Sequence, residues 1–306
     1  MEHNKHGSPV RAAFQKLFQN KLATICFVIL ILEILMVALA PVIAPYGYDE
    51  QKPAIKLRPG FWAQWTAVTD PEDPEYDEQK LYIPGHYLGT DEYGRDVFSR
   101  LLYVGRVSLM VGFVSTAMGL VAGVTCGLLA GYYKRLDNPI MRIMDLLFTF
   151  PGILLAMLII AMLGVNTFNA MLAISIWSIP SFARMVRGKV LQVKEEDYIM
   201  ATRSLGAKDS RIIFIHILKN CLPVIIVIAT MRMATSIISI STLSYLGMGV
   251  VPPQPEWGGM IAAGKKWLWD APSLIFVPGI AVMITVICFN ILGDKLRDIL
   301  DPSLKD

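Results

Sequence analysis

Six stretches of the chain run for about 20 residues with almost no charge, and that pattern leaves few folds open. They lie near 22–44, 107–131, 146–165, 168–179 continuing toward 190, 222–246 and 274–293. At about 1.5 Å per helical residue, such runs reach across a hydrocarbon layer of about 30 Å. Backbone groups find no water there, so each run must close its hydrogen bonds within itself as a helix. The expectation is an all-α membrane protein with six transmembrane helices. The fourth run is the weakest, because Pro180, Arg184 and Arg187 interrupt it. Composition agrees: 54% of the 306 residues are hydrophobic and 17% are charged, against about 25% charged in a soluble domain. The first run follows basic residues, as a signal peptide does, but it is too long and Pro41 follows Ala38-Leu39-Ala40, so it reads as an uncleaved helix.

Lys and Arg are distributed unevenly. Residues 1–21, 132–144, 183–221 and 294–306 hold 18 of them, while 45–106, 166–167 and 247–273 hold 9. Positive residues are retained in the cytoplasm, so both termini are expected there, in a bacterial or archaeal plasma membrane. The chain then divides into a cytoplasmic tail (1–21), a first transmembrane helix (22–44), an external loop (45–106), a five-helix core (107–293) with a cytoplasmic loop at 191–220, and a second cytoplasmic tail (294–306).

A net charge of +3 is too small to imply a nucleic-acid partner. Cys26, Cys126, Cys221 and Cys288 all fall in apolar runs, and His3, His6, His86 and His216 form no ligand-bearing helix face, so no metal is expected. The acidic stretch Asp70 to Glu75 lacks the glycine and terminal glutamate of a calcium loop and reads as solvated.

Gly119, Gly123, Gly127 and Gly131 recur every four residues, which lets another helix backbone approach closely and makes the second span a packing centre. Two charges stand inside spans, and each costs about 2.5–3.5 kcal/mol or more if it faces lipid. Glu33 is expected against a neighbouring helix. Arg232 is expected either against a structural partner or in a translocation path, facing an anionic group of the solute.

The loop from Lys194 to Ile213 does not behave as a linker. Acidic residues open a short helix, Gly206 is placed to close it in a left-handed conformation, and Asp209 or Ser210 can cap a second helix. Tyr198, Ala201, Thr202 and Leu205 fall at i, i+3, i+4 and i+7, a stripe suited to a groove in another protein. A DNA-binding helix-turn-helix is excluded, since the second helix, Ile212 to Ile217, is too apolar for a groove and leads into a span.

Ala201-Thr202, Gly206 with Ala207 and Asp209 behind it, and the Ile-rich helix ending His216-Ile217-Leu218 resemble the loop by which permeases of binding-protein-dependent ABC importers dock their ATPases. Leu88-Gly89-Thr90-Asp91-Glu92-Tyr93-Gly94-Arg95-Asp96 and Leu243-Ser244-Tyr245-Leu246-Gly247-Met248-Gly249-Val250, followed by Pro252-Pro253 and Trp257-Gly258, are similar to the C-type permease of the dipeptide, oligopeptide and nickel importers. The resemblance runs from the first span to Asp301-Pro302. Met200, Thr202 and Lys219 depart from the docking-loop pattern, Ile240 replaces an acidic residue common in the family, and Arg232 is not part of it.

The resemblance implies a type I ABC importer permease fold, a homologous second permease, two ATPase subunits holding ATP and magnesium, an extracytoplasmic substrate-binding protein, and no ATPase site or bound cofactor in this chain. Gly259 to Lys266 lacks the Ser or Thr of a phosphate loop and reads as coincidence. Dipeptides or oligopeptides are the implied solutes, with nickel or another small solute as the alternative. Gly89, Thr90, Asp91, Gly94, Arg95 and Asp96 are expected to order the start of the second span, mainly as mutual salt bridges and caps. A stand-alone secondary transporter is the rival, but no inverted repeat is evident. A membrane-embedded enzyme would need a catalytic cluster at membrane depth, and none is apparent.

Overall fold

The computed structural model describes residues 16–300, and every named element among them is helical. The tails fall partly outside those residues, and His3, His6 and Asp301-Pro302 wholly so. The first long helix, α1 (Lys21–Ala38), starts where the Asn20 side chain accepts the Ala23 N–H, and stops just ahead of Pro41. Residues 45–96 make only short helical turns, at Pro53–Ile55, Ala63–Thr66 and Glu78–Lys80. The next helix, α2 (Val97–Tyr132), is capped by the Asp96 carboxylate on the Ser99 N–H. It begins at Val97 rather than Val107, and its 36 residues span about 54 Å, longer than the apolar layer.

The expected third span, 146–165, is not one helix. The chain forms α3 (Lys134–Thr149) and α4 (Gly152–Leu163), which meet at 93°. The cause is local: Pro151 pushes Phe150 into an extended conformation, with ψ 135°, and no helix continues through it. With 12 residues, α4 reaches only about 18 Å. By contrast, α5 (Thr167–Val193) runs unbroken for 27 residues through Pro180, Arg184 and Arg187.

The segment after α5 forms α6 (Asp197–Ser204), then a turn at Asp209–Arg211, a π-helical run Ile212–Ile217, and α7 (Leu218–Tyr245). Neither Asp209 nor Ser210 is the cap: Lys208 holds that position without a side-chain bond, and Asp209 is already helical. The chain ends with α8 (Trp257–Gly264) and α9 (Ser273–Leu300). Among the described residues, α1, α2, the continuous stretch 209–245 and α9 are each long and apolar enough to cross a membrane, and the bent α3–α4 pair qualifies together. A count of six therefore requires α5, which has the length but not the apolarity.

Its partner explains how α5 stays buried. A methyl group on Gly123 would lie 2.5 Å from Phe182 Cβ and 2.7 Å from the Ile179 carbonyl, and one on Gly127 would lie 2.7 Å from the Ala183 carbonyl. Gly119 meets Ser178 and Gly131 meets Val190 in the same way, so the four glycines form one seam along α5. Below the seam, Val124, Leu128, Val186, Val190, Ile199 and Ile217 join one core. Ile240 is fully buried among apolar side chains. On the far side α9 packs against α1, where half-buried Glu33 accepts the Thr285 hydroxyl and its second oxygen is buried without a partner. All four cysteines are free thiols.

Candidate functional site

One end of the bundle carries an apolar knob. Asp197 opens α6 and Arg203 closes it, each complementing the helix dipole. Gly206 follows at φ +82°, and nothing lies within 4 Å of a Cβ built on it, so the backbone conformation, not space, calls for glycine. Only Ile199 of α6 turns inward, at 2% exposure, while Leu205 is 89% exposed and Tyr198, Met200 and Ala201 stand out beside it. Thr202 and Ala207 are half-buried, and the Thr202 hydroxyl donates back to the Tyr198 carbonyl. The predicted stripe is thus an outward face, and the inward anchor lies one residue from its first member.

Four groups missed at sequence level hold the knob. The Tyr132 hydroxyl, at the end of α2, donates to Asp209 at 2.6 Å and accepts from Arg203 at 2.9 Å. Asn220 donates to the Tyr198 hydroxyl at 2.9 Å, and Lys194 to the Gly131 carbonyl at 3.1 Å. Arg203 and Asn220 tie α6 to α2 and α7, and Lys194, just ahead of α6, adds a bond to the end of α2. Tyr132→Phe keeps the ring and leaves Asp209 and Arg203 without their shared partner, a loss of about 1–2 kcal/mol. Faster amide exchange across 197–211 is the expected outcome, with unchanged exchange in α2; hydrogen-exchange mass spectrometry reads both.

At the opposite end, residues 45–96 fold over the start of α2. Asp91 accepts the Tyr93 N–H at 2.9 Å, the Arg95 N–H at 3.0 Å and Arg95 Nε at 2.7 Å, with Arg100 at 3.6 Å. Thr90 accepts the Arg58 N–H and donates to the Ile55 carbonyl. Asp96 pairs with buried His86 at 2.9 Å, on which Tyr46 stacks. Gly94 sits at φ +72° and Gly89 at φ +83°, and a Cβ on either would strike a backbone carbonyl, of Lys52 and of Arg58 respectively. Thr90, Asp91, Arg95 and Asp96 thus spend side-chain groups on the fold of this cap. Glu92 extends the network to Lys266 and to Trp267 Nε1, beyond α8.

The start of α8 is fixed by one buried acid, also missed at sequence level. Glu256 accepts the Gly259 N–H at 3.0 Å, the Ser241 hydroxyl at 2.9 Å and the Ser108 hydroxyl at 3.4 Å. Gly259 to Gly264 therefore lies within a helix, not in a phosphate loop. Burial pushes the Glu256 carboxyl above its ordinary range, against the opposing effect of these hydrogen bonds. A raised native value favours the protonated form, so this stabilisation is complete below pH about 4 and is lost as pH rises through the native value. Glu256→Gln removes the titration. Its melting temperature is expected to change less between pH 5 and 8 than that of the wild type.

Arg232 lies midway along α7, half-buried, with its guanidinium donating to Ser181 and 5.9 Å from the Trp177 ring centroid, both on α5. Trp177 in turn fills the space left by Gly152 at the start of α4. Among the described residues no group of three His, Cys, Asp or Glu side chains is placed to hold a metal ion.

Membrane-length helices around a polar, half-open helix, with an apolar knob on one polar end, define a permease subunit. The chain belongs to the family of binding-protein-dependent transport system inner membrane components, whose model matches residues 119–306; the N-terminal domain of oligopeptide transport permease C matches 8–59. A dipeptide transport permease of Alkalihalophilus pseudofirmus is 41% identical over 299 residues, covering 97% of this chain and 91% of the relative. A glutathione transport permease of Pectobacterium atrosepticum is 46% identical over 249 residues, covering 80% of this chain and 82% of the relative. A di/tripeptide permease of Pseudomonas aeruginosa is 36% identical over 98% of this chain and 94% of its own length. Among solved structures, the inward-facing methionine ABC transporter aligns with TM-score 0.53 at 20% identity, over 65% of this chain and 96% of that one. This is the type I importer permease fold.

Proposed function

We propose that the chain forms, with a homologous second permease, the path by which short peptides enter the cell, and that two separate ATPase subunits drive it through α6. The observation that carries this reading is the knob: Leu205, Met200 and Tyr198 present apolar surface on a loop otherwise made for water, and their base is bonded to two spans. An ATPase groove covers that surface, and closure of the nucleotide-bound pair pushes α6 and tilts α2 and α7 with it. The Lys and Arg bias puts the knob and both termini in the cytoplasm and the 45–96 cap outside, where an extracytoplasmic binding protein delivers solute. ATP and magnesium belong to the partners.

Peptides are favoured as solutes because the relatives are named for dipeptide, di/tripeptide and glutathione transport, and glutathione is itself a tripeptide. The test is assembly. Affinity purification of this chain, co-expressed with its neighbouring reading frames, is expected to recover a sister permease and two nucleotide-binding subunits. The associated binding protein should bind dialanine or glutathione in calorimetry. Uptake by this chain alone in proteoliposomes would instead establish a stand-alone transporter.

A further inference from the structure

Three arginines lie along the outward side of α5, and they differ in what neutralises them. Arg187 is bidentate on Asp137 of α3, with one arm at 2.7 Å, and Arg184 pairs with Asp145 at 2.7 Å while crossing the Phe148 ring at 4.3 Å. Arg232 reaches the same side from α7 and has no carboxylate partner among the described residues; its contacts are the Ser181 hydroxyl and the Trp177 ring. Neither contact carries a negative charge. An arginine midway along a span needs an anion or water to offset its desolvation.

The side on which it stands is not made for lipid. Trp177, Ser181, Arg184 and Gly188 follow one another at i, i+4, i+7 and i+11, none of them buried, on a helix too polar to cross the membrane by itself. That face requires either a water-filled path or a protein partner. The Trp177 ring packs closely on Gly152 and lies 5.9 Å from the guanidinium, whose donors other than the one on Ser181 have no hydrogen-bond partner among the described residues.

We propose that Arg232 is a solute-binding residue of the translocation path and takes the terminal carboxylate of a peptide, with Ser181 and Trp177 as positioning residues. This rests on the peptide-importer reading above and adds the group recognised. A planar guanidinium with free donors suits a carboxylate through two parallel bonds. Arg184 and Arg187 are each paired with a carboxylate, so among the described residues Arg232 is the arginine on this side left without one.

The experiment compares uptake of dialanine with uptake of dialanine amide, by the full complex in proteoliposomes with its binding protein, for wild type, Arg232→Gln and Arg232→Lys. Discrimination by the binding protein is common to all three and cancels when the acid-to-amide ratio is compared between variants. Loss of one charge-assisted pair predicts that Arg232→Gln lowers this ratio about tenfold or more. Arg232→Lys keeps the charge but loses the two parallel bonds, so its ratio is expected to fall between those of the wild type and Arg232→Gln. Equal loss of both substrates, or no loss of either, would overturn the proposal. So would a Gln variant that fails to assemble while the Lys variant assembles, since the counter-ion then belongs to the protein. A wild-type complex that carries neither peptide would overturn the peptide reading itself, a failure distinguishable from the others because it precedes any substitution.

Discussion

Leu205→Asp is expected to strip the ATPase subunits from the purified complex. Leu205 is the most exposed apolar residue of the knob, at 89%, and it packs on nothing in its own chain, so the substitution leaves the permease fold unchanged. Full burial of a leucine contributes about 1.5–3 kcal/mol, and placing a carboxylate in an apolar groove adds a desolvation cost of its own. A total above about 3 kcal/mol weakens docking more than 100-fold. Leu205→Met keeps the volume and the apolar character and serves as the control. The readout is the ratio of nucleotide-binding subunits to permease after affinity purification, with the permease's own melting temperature measured in parallel. Unchanged stoichiometry in the Asp variant would remove Leu205 from the docking face.

The second large effect is structural. Gly123→Leu is expected to prevent accumulation of folded protein in the membrane fraction. A Cβ at that position already overlaps Phe182 Cβ and the Ile179 carbonyl, and the latter is backbone, which no rotamer change can move aside. Relief requires α2 and α5 to separate along the whole seam, because Gly119 and Gly127 hold the helices equally close one turn on each side. Overpacking costs about 1–3 kcal/mol at an ordinary core site, and the cost is greater where the contact is helix on helix. Gly188→Ala is the contrasting case: nothing lies within 4 Å of that position, and the melting temperature is expected to hold or to rise slightly. Quantitative blotting of membranes and thermal unfolding in detergent distinguish the two variants.

The long spans were legible because a charge-free run of sufficient length has one solution in lipid. Hydropathy carries no direction, however, and the third run passes the same test whether it is straight or bent by 93°. Pro151 was the available signal, and only its effect on Phe150 converts it into a break. The fourth run looked weak for the opposite reason. Its polar residues interrupt an average, yet the helix continues because α2 buries one side of it and its charges find Asp137 and Asp145 on α3.

In the segment 194–213 the helix and its glycine turn were legible, since Gly206 and the charges at each end act locally, but the expected cap at Asp209 or Ser210 was not the one formed. Its clasp was not, because Tyr132 and Asp209 are 77 residues apart and no periodicity reports such a pair. Helical spacing also located a stripe without saying which side faces the protein; Ile199, one residue from Tyr198, turned out to be the buried one. Glu256 escaped notice because one acid before an aromatic resembles any loop residue until Ser108 and Ser241 close around it.

We propose that this chain moves solute only when another protein pushes on α6. It is tested most directly by uptake of labelled dialanine into proteoliposomes holding the purified complex, with binding protein outside and ATP or a non-hydrolysable analogue inside. Uptake is expected with ATP, with background uptake for the analogue and for the Leu205→Asp variant given ATP. Equal uptake in all three would contradict it.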